Sequence, residues 1–171
     1  QVLKSMSGES LVIHEGTADY FVLARTENPC LGSLLCPKGS RLCATSECLR
    51  TADNKRKITD PRLLASDPKG KLAHLKSQVV SALLWDIGKI ISQRKCAEIL
   101  YGAIDFLKPV SKYSDLLRAL FLADQKYENS HNACYIYAAA KNRGFEKELL
   151  TLDSYCQDAD SDEGADGEIN E

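Results

Sequence analysis

From Leu72 onward one pattern leaves few folds open. Large apolar residues recur every three or four positions: Leu72, Leu75, Val79, Leu83, Ile87 and Ile90. That spacing follows the turn of an α-helix, about 3.6 residues, and places all of them on one stripe. A second row, Val80, Leu84, Ile87 and Ile91, runs beside the first. A stripe this wide suits a helix covered on more than one side. Residues 71–92 are therefore expected to form the central helix, with the only tryptophan, Trp85, inside it.

The same period continues downstream. Cys96, Ile99, Leu100, Ala103, Ile104 and Leu107 share one face of a second helix that Pro109 closes. Ser111 or Ser114 can cap a third, SDLLRALFLADQKY, with Leu116, Leu117, Leu120 and Phe121 facing inward. Asn129 or Ser130 opens a fourth, HNACYIYAAAKNR, and Gly144 is placed to end it. A short last helix, FEKELLTL, would be anchored by Phe145, Leu149 and Leu152. Short connections between four to five helices predict a mainly α fold, an antiparallel helical bundle. At 171 residues the chain is one domain in size.

Residues 10–25, SLVIHEGTADYFVLAR, read as a small N-terminal β-hairpin. Leu11, Val12 and Ile13 on one side and Tyr20, Phe21, Val22 and Leu23 on the other flank Glu15-Gly16-Thr17. A buried helix is the rival, and Gly16 in mid-segment argues against it. In the connector 51–70, Pro61 and Pro68 bar a continuous helix. A helical turn at 61–65 fits, with Ile58, Leu63 and Leu64 pinning the segment to the domain. The expected organisation is thus 1–50, hairpin and Cys-rich loop; 51–70, basic connector; 71–155, helical bundle; and 156–171, a disordered acidic tail.

Cys30, Cys36, Cys43 and Cys48 concentrate four of the chain's 7 cysteines in one stretch. Zinc takes four thiolates, so the number suffices, but structural sites bring ligands in tight pairs. Here the spacing is C-x5-C-x6-C-x4-C, and only the last gap suits such a pair. His14 can stand in for one cysteine if the hairpin folds over the loop. Zn2+ is accordingly the one cofactor in view, beside packing thiols and disulfides as the other readings. The odd total, with Cys96 and Cys134 in helical patterns, points to free thiols and a reducing compartment, cytoplasmic or nuclear.

The net charge of −2 hides an uneven distribution. Between Arg50 and Lys76 stand eight Lys or Arg against three Asp, and from Asp153 to the end stand eight acidic residues and no basic one. Arg50, Lys55, Arg56, Lys57, Arg62, Lys69 and Lys71 would hold a phosphate backbone if they converge. The lack of aromatics between residues 24 and 84 argues against base stacking or sequence choice. The run Lys55-Arg56-Lys57 also has the look of a nuclear import signal. The acidic tail can lie across this connector and mask it.

No run approaches the length of a membrane span, so no membrane partner is expected. The opening QVLKSMSGES has neither the apolar stretch of a signal peptide nor an initiator Met, as expected of a fragment or processed product. P-loop, dinucleotide-binding, metalloprotease and serine-hydrolase motifs are missing from the sequence. His131 and Cys134 share a helical face, yet no third group is apparent to orient the imidazole. The chain is therefore expected to be no enzyme but a regulatory or adaptor module, binding another protein through its helical face. Tyr127, His131 and Tyr135, four residues apart, would form an outward stripe for that partner. The alternative is a zinc-stabilised RNA- or DNA-associated regulator, laid out like a viral cofactor.

Overall fold

The computed structural model describes residues 8–36, 47–67, 70–152 and 154–157. The fold is mainly α, with helices packed against each other and a small two-stranded antiparallel sheet. In chain order come α1 (Gly8–Thr26), β1 (Cys30–Leu31), a 3-10 turn (Ser33–Leu35) and β2 (Arg50–Thr51). Then follow α2 (Pro61–Leu64), α3 (Ala73–Ile91), α4 (Gln93–Ile104), α5 (Tyr113–Glu128), α6 (Ala133–Asn142), α7 (Glu146–Leu149) and α8 (Ser154–Gln157).

The hairpin expected at 10–25 is a helix. Its buried positions, Val12, Ile13, Gly16, Thr17, Tyr20, Leu23 and Ala24 with the polar Ser10 and Asp19, do follow the helical period, but small and polar residues dilute its apolar signal. Gly16 is the contact point of α1 and α3, not a turn. A Cβ there would meet the Val80 Cβ at 2.6 Å and the Ser77 carbonyl at 2.8 Å. The two helices form the most extensive contact of the fold. The sheet comes instead from the ends of the Cys-bearing loop, Cys30 pairing with Thr51 and Leu31 with Arg50.

The central helix runs as its spacing demands, with Val79, Val80, Leu83, Leu84, Trp85 and Ile87 all in the core, although Ile90 in its last turn is exposed. Ser92, at φ 83°, turns the chain between α3 and α4, and its side chain caps α4 by accepting from the Lys95 N–H. Tyr20 of α1 fastens this corner: its hydroxyl donates to Gln93 Oε1 (3.0 Å), while Gln93 Nε2 donates to the Trp85 carbonyl (3.3 Å). The second helix stops at Ile104, five positions short of Pro109, so Ile104 stands 44% exposed instead of facing inward.

α5 starts after Lys112, whose N–H donates to the Asp115 carboxylate (2.8 Å). Neither serine caps it, and Ser111 accepts from the Lys108 N–H instead. Between α5 and α6, Asn129 and Ser130 take left-handed conformations. Asp124, held above the usual carboxylate range by burial, accepts from both the backbone and side-chain nitrogens of Asn132 (3.0 and 2.7 Å) and so fixes the entry to α6. Phe145, Leu149 and Leu152 anchor α7 as expected.

The connector is pinned more firmly than its polarity suggests. Asp60 caps α2 by accepting from the Arg62 N–H. Leu63 is buried and Ile58 packs on the core, while Leu64 points outward. Arg143, 6% exposed, binds the Asp86 carboxylate through Nε and Nη2, both at 2.6 Å. Its Nη1 donates to the carbonyls of Asn54 (2.6 Å) and Arg56 (3.0 Å). One side chain thus joins α6, α3 and the connector.

Candidate functional site

An open concavity lies between the C-terminal half of α1 and α4. It holds about 730 Å³. α1 contributes Phe21, Ala24 and Arg25, at helical spacing, and α4 contributes Arg94, Ala97, Glu98 and Tyr101. Positions i, i+3, i+4 and i+7 face one way, so the two helices set parallel stripes against each other. Ala24 and Ala97 make the floor low because they carry no side chain beyond Cβ. Phe21 and Tyr101 supply the apolar area, and Tyr101 is 75% exposed, a large amount for an aromatic ring. Charge sits at the rim, where Arg94 Nε pairs with Glu98 at 3.0 Å and Arg25 lies across from them. Among the described residues Arg25 has no ion pair. An apolar floor thus lies inside a charged rim.

Of the expected partner residues, Tyr127 adjoins α4: its ring fills the space over Gly102, where a Cβ would come within 2.5 Å of it. His131 and Tyr135 are exposed. The three do not form one helical stripe. Tyr127 lies in the last turn of α5, Tyr135 belongs to α6, and His131 sits in the turn between them, its Nδ1 2.6 Å from the Glu128 carbonyl oxygen. Spacing by four places residues on one face only where the helix is unbroken.

Two of the connector's basic residues are paired with carboxylates. Arg50 is engaged bidentately by Asp19 of α1, at 2.6 and 2.8 Å, and Arg62 pairs with Asp60 at 3.4 Å. Lys55 and Lys57 are exposed, but Arg56 between them is half-buried, and its carbonyl is held by Arg143. Lys71 is exposed, and Lys69 lies outside the described residues.

Of the three readings of the cysteine cluster, the described residues take the disulfide one. Cys30 and Cys48 form a disulfide across the foot of the two-stranded sheet, and Cys36 is disulfide-bonded too. Cys43 lies outside the described residues. A sulfur committed to a disulfide has no thiolate to offer a metal. Among the described residues no group of three or more His, Cys, Asp or Glu is arranged to hold a metal ion. Cys134, expected as a free thiol, is bonded to Cys156, which ties α8 to the first turn of α6. The His131–Cys134 pair therefore has no free nucleophile. Cys96 is free, buried, and hydrogen-bonded to the Leu84 carbonyl, and burial pushes its thiol up to about 12.

The groove escaped sequence reading because its residues looked like parts of two different elements. Phe21 read as strand, while Tyr101 lay off the apolar face of its helix. A signal was present in Arg94, Ala97, Glu98 and Tyr101, a second face of α4 bearing an aromatic ring that its own core does not use. Among the described residues no helix is long and apolar enough to cross a membrane. No family model, curated protein or solved structure matches the chain, so a functional reading rests on this geometry.

Proposed function

We propose that the domain is a non-enzymatic binding module that receives an amphipathic helix of a partner protein in the groove between α1 and α4. The exposed ring of Tyr101 over the Ala24–Ala97 floor carries this reading. A helix laid there would cover Phe21 and Tyr101 with its apolar side and meet Arg25, Arg94 and Glu98 at the rim, the helix-in-groove mode. In this reading the domain works in an oxidising environment rather than in the cytoplasm or nucleus. The support is that Cys30, Cys36, Cys48, Cys134 and Cys156 are disulfide-bonded, while the free Cys96 is sealed in the core.

The test is site-directed photo-crosslinking in extract of the source organism. A crosslinker at position 101 should trap one protein that the same group at Leu150, another exposed residue, does not. Ala97→Arg, which fills the floor, should weaken binding of that purified protein at least tenfold. Equal capture at both positions, or undiminished binding by Ala97→Arg, removes the proposal.

A further inference from the structure

α4 carries two apolar stripes. The first, Cys96, Ile99, Leu100 and Ala103, is buried in the core of the domain. The second, Ala97, Tyr101 and Ile104, recurs at spacings of four and three on another side of the same helix. Tyr101 is 75% and Ile104 44% exposed. This second stripe is one wall of the α1–α4 groove. It also has what the groove is suited to receive, a helix with small and aromatic residues along one edge.

The face is complementary to itself. A protruding ring beside a low floor fits a twofold axis, because each copy supplies the knob for the other's hollow. Two α4 helices crossing antiparallel at the level of Ile99 bring Tyr101 of one over Ala97 of the other, since both stand two positions from the crossing. The same register sets Arg94 level with Ile104 and Asp105 of the other copy. The Arg94 side chain is 89% exposed. Asp105 is exposed and has no ion pair among the described residues. Opposite charges thus meet twice, once on each side of the axis. A parallel pair would set Arg94 against Arg94 and Asp105 against Asp105, which like-charge repulsion disfavours. Glu98 falls near the axis in either case, but Arg94 and Lys95 already counter it at 3.0 and 3.7 Å. We infer that the chain pairs with a second copy of itself, each α4 lying antiparallel in the other's α1–α4 groove with Tyr101 over the other's Ala97. This rests on reading the groove as a helix-binding surface, and it names the helix.

Sedimentation velocity of the purified full chain, its disulfides intact, tests the pairing between about 1 and 500 μM, the range of a small transient interface. A dimer should build up across that range. Tyr101→Asp and Ala97→Arg should each weaken it at least about tenfold. Leu150→Asp, at an exposed residue outside the groove, should leave it unchanged. Arg94→Asp and Asp105→Arg should each weaken it by at least about threefold, and the two together should restore it. Within one chain these positions stand about 16 Å apart at about 1.5 Å per residue, too far for a screened ion pair, so rescue reads a contact between copies. Matching circular dichroism melts show that each variant is folded. The inference is overturned by a chain that stays monomeric throughout, by a dimer that Tyr101→Asp leaves intact, or by a charge swap that restores nothing. A monomer whose position 101 still traps a different protein overturns the pairing and leaves the groove a receptor; a monomer that traps nothing there overturns both.

Discussion

Gly16→Ala tests the central packing of the fold through its sign. In an ordinary helix this change removes backbone freedom from the unfolded chain and stabilises by about 0.5–1 kcal/mol. Here the new methyl would stand 2.6 Å from the Val80 Cβ, 2.8 Å from the Val80 Cγ1 and 2.8 Å from the Ser77 carbonyl. None of these is the free end of a long side chain: Val80 is fully buried, and the carbonyl belongs to α3 itself. The contact is relieved only by moving α1 off α3. Overpacking of that kind costs about 1–3 kcal/mol. The propensity gain is the smaller term, so the expected net loss is about 1–2 kcal/mol. Urea denaturation at fixed pH, followed by far-UV circular dichroism, reads it as a lower midpoint at unchanged slope. Val80→Ala in the same chain should fail to rescue, because the nearest atom is the Val80 Cβ, which alanine retains. If Gly16→Ala raises stability, α1 does not cross α3 as described, and the account of the N-terminal third is wrong.

Arg143→Leu should cost about 2–4 kcal/mol in the same assay, because it leaves the Asn54 and Arg56 carbonyls short of their donor and the Asp86 carboxylate with Lys89 alone. A loss under about 1 kcal/mol would mean that the connector is not held by this residue. Replacing Cys134 and Cys156 together by alanine opens a bridge of sequence separation 22 and should destabilise by about 3 kcal/mol from loop entropy alone. A melting temperature unchanged by the double substitution would refute the bridge's role. Cys96, with its thiol pushed up to about 12 by burial, should resist iodoacetamide at pH 8 in the native state and react fully in denaturant. Rapid native labelling would show that the α3–α4 corner opens far more readily than its packing allows.

Much of this fold was readable from spacing. Leu72 to Leu152 yielded its helices because each repeats a local period, and large aliphatic residues mark the period without ambiguity. The turn at 61–65 was readable for the same local reason, Asp60 followed by Pro61 being a cap and a first-turn proline. Capping residues were less legible: Ser111, Ser114 and Lys112 all stand where α5 could start, and the Asp115 side chain selects among them.

The candidate site was not legible, and α1 shows why. Its inward face holds Gly16 and Thr17 at the centre, and small residues announce helix only once a second helix lies within touching distance. That partner, α3, is about sixty positions away along the chain. Distance in sequence also hid the cysteine pairing, the capture of Arg50 by Asp19 and the link from Arg143 to the connector. Local chemistry thus settled which segments coil and which side of each is oily, since a helix forms its hydrogen bonds within itself. Which basic residues stay available, which sulfurs join and where an aromatic ring is left uncovered depended on segments that meet only when the helices pack, and no short stretch of residues carries that information.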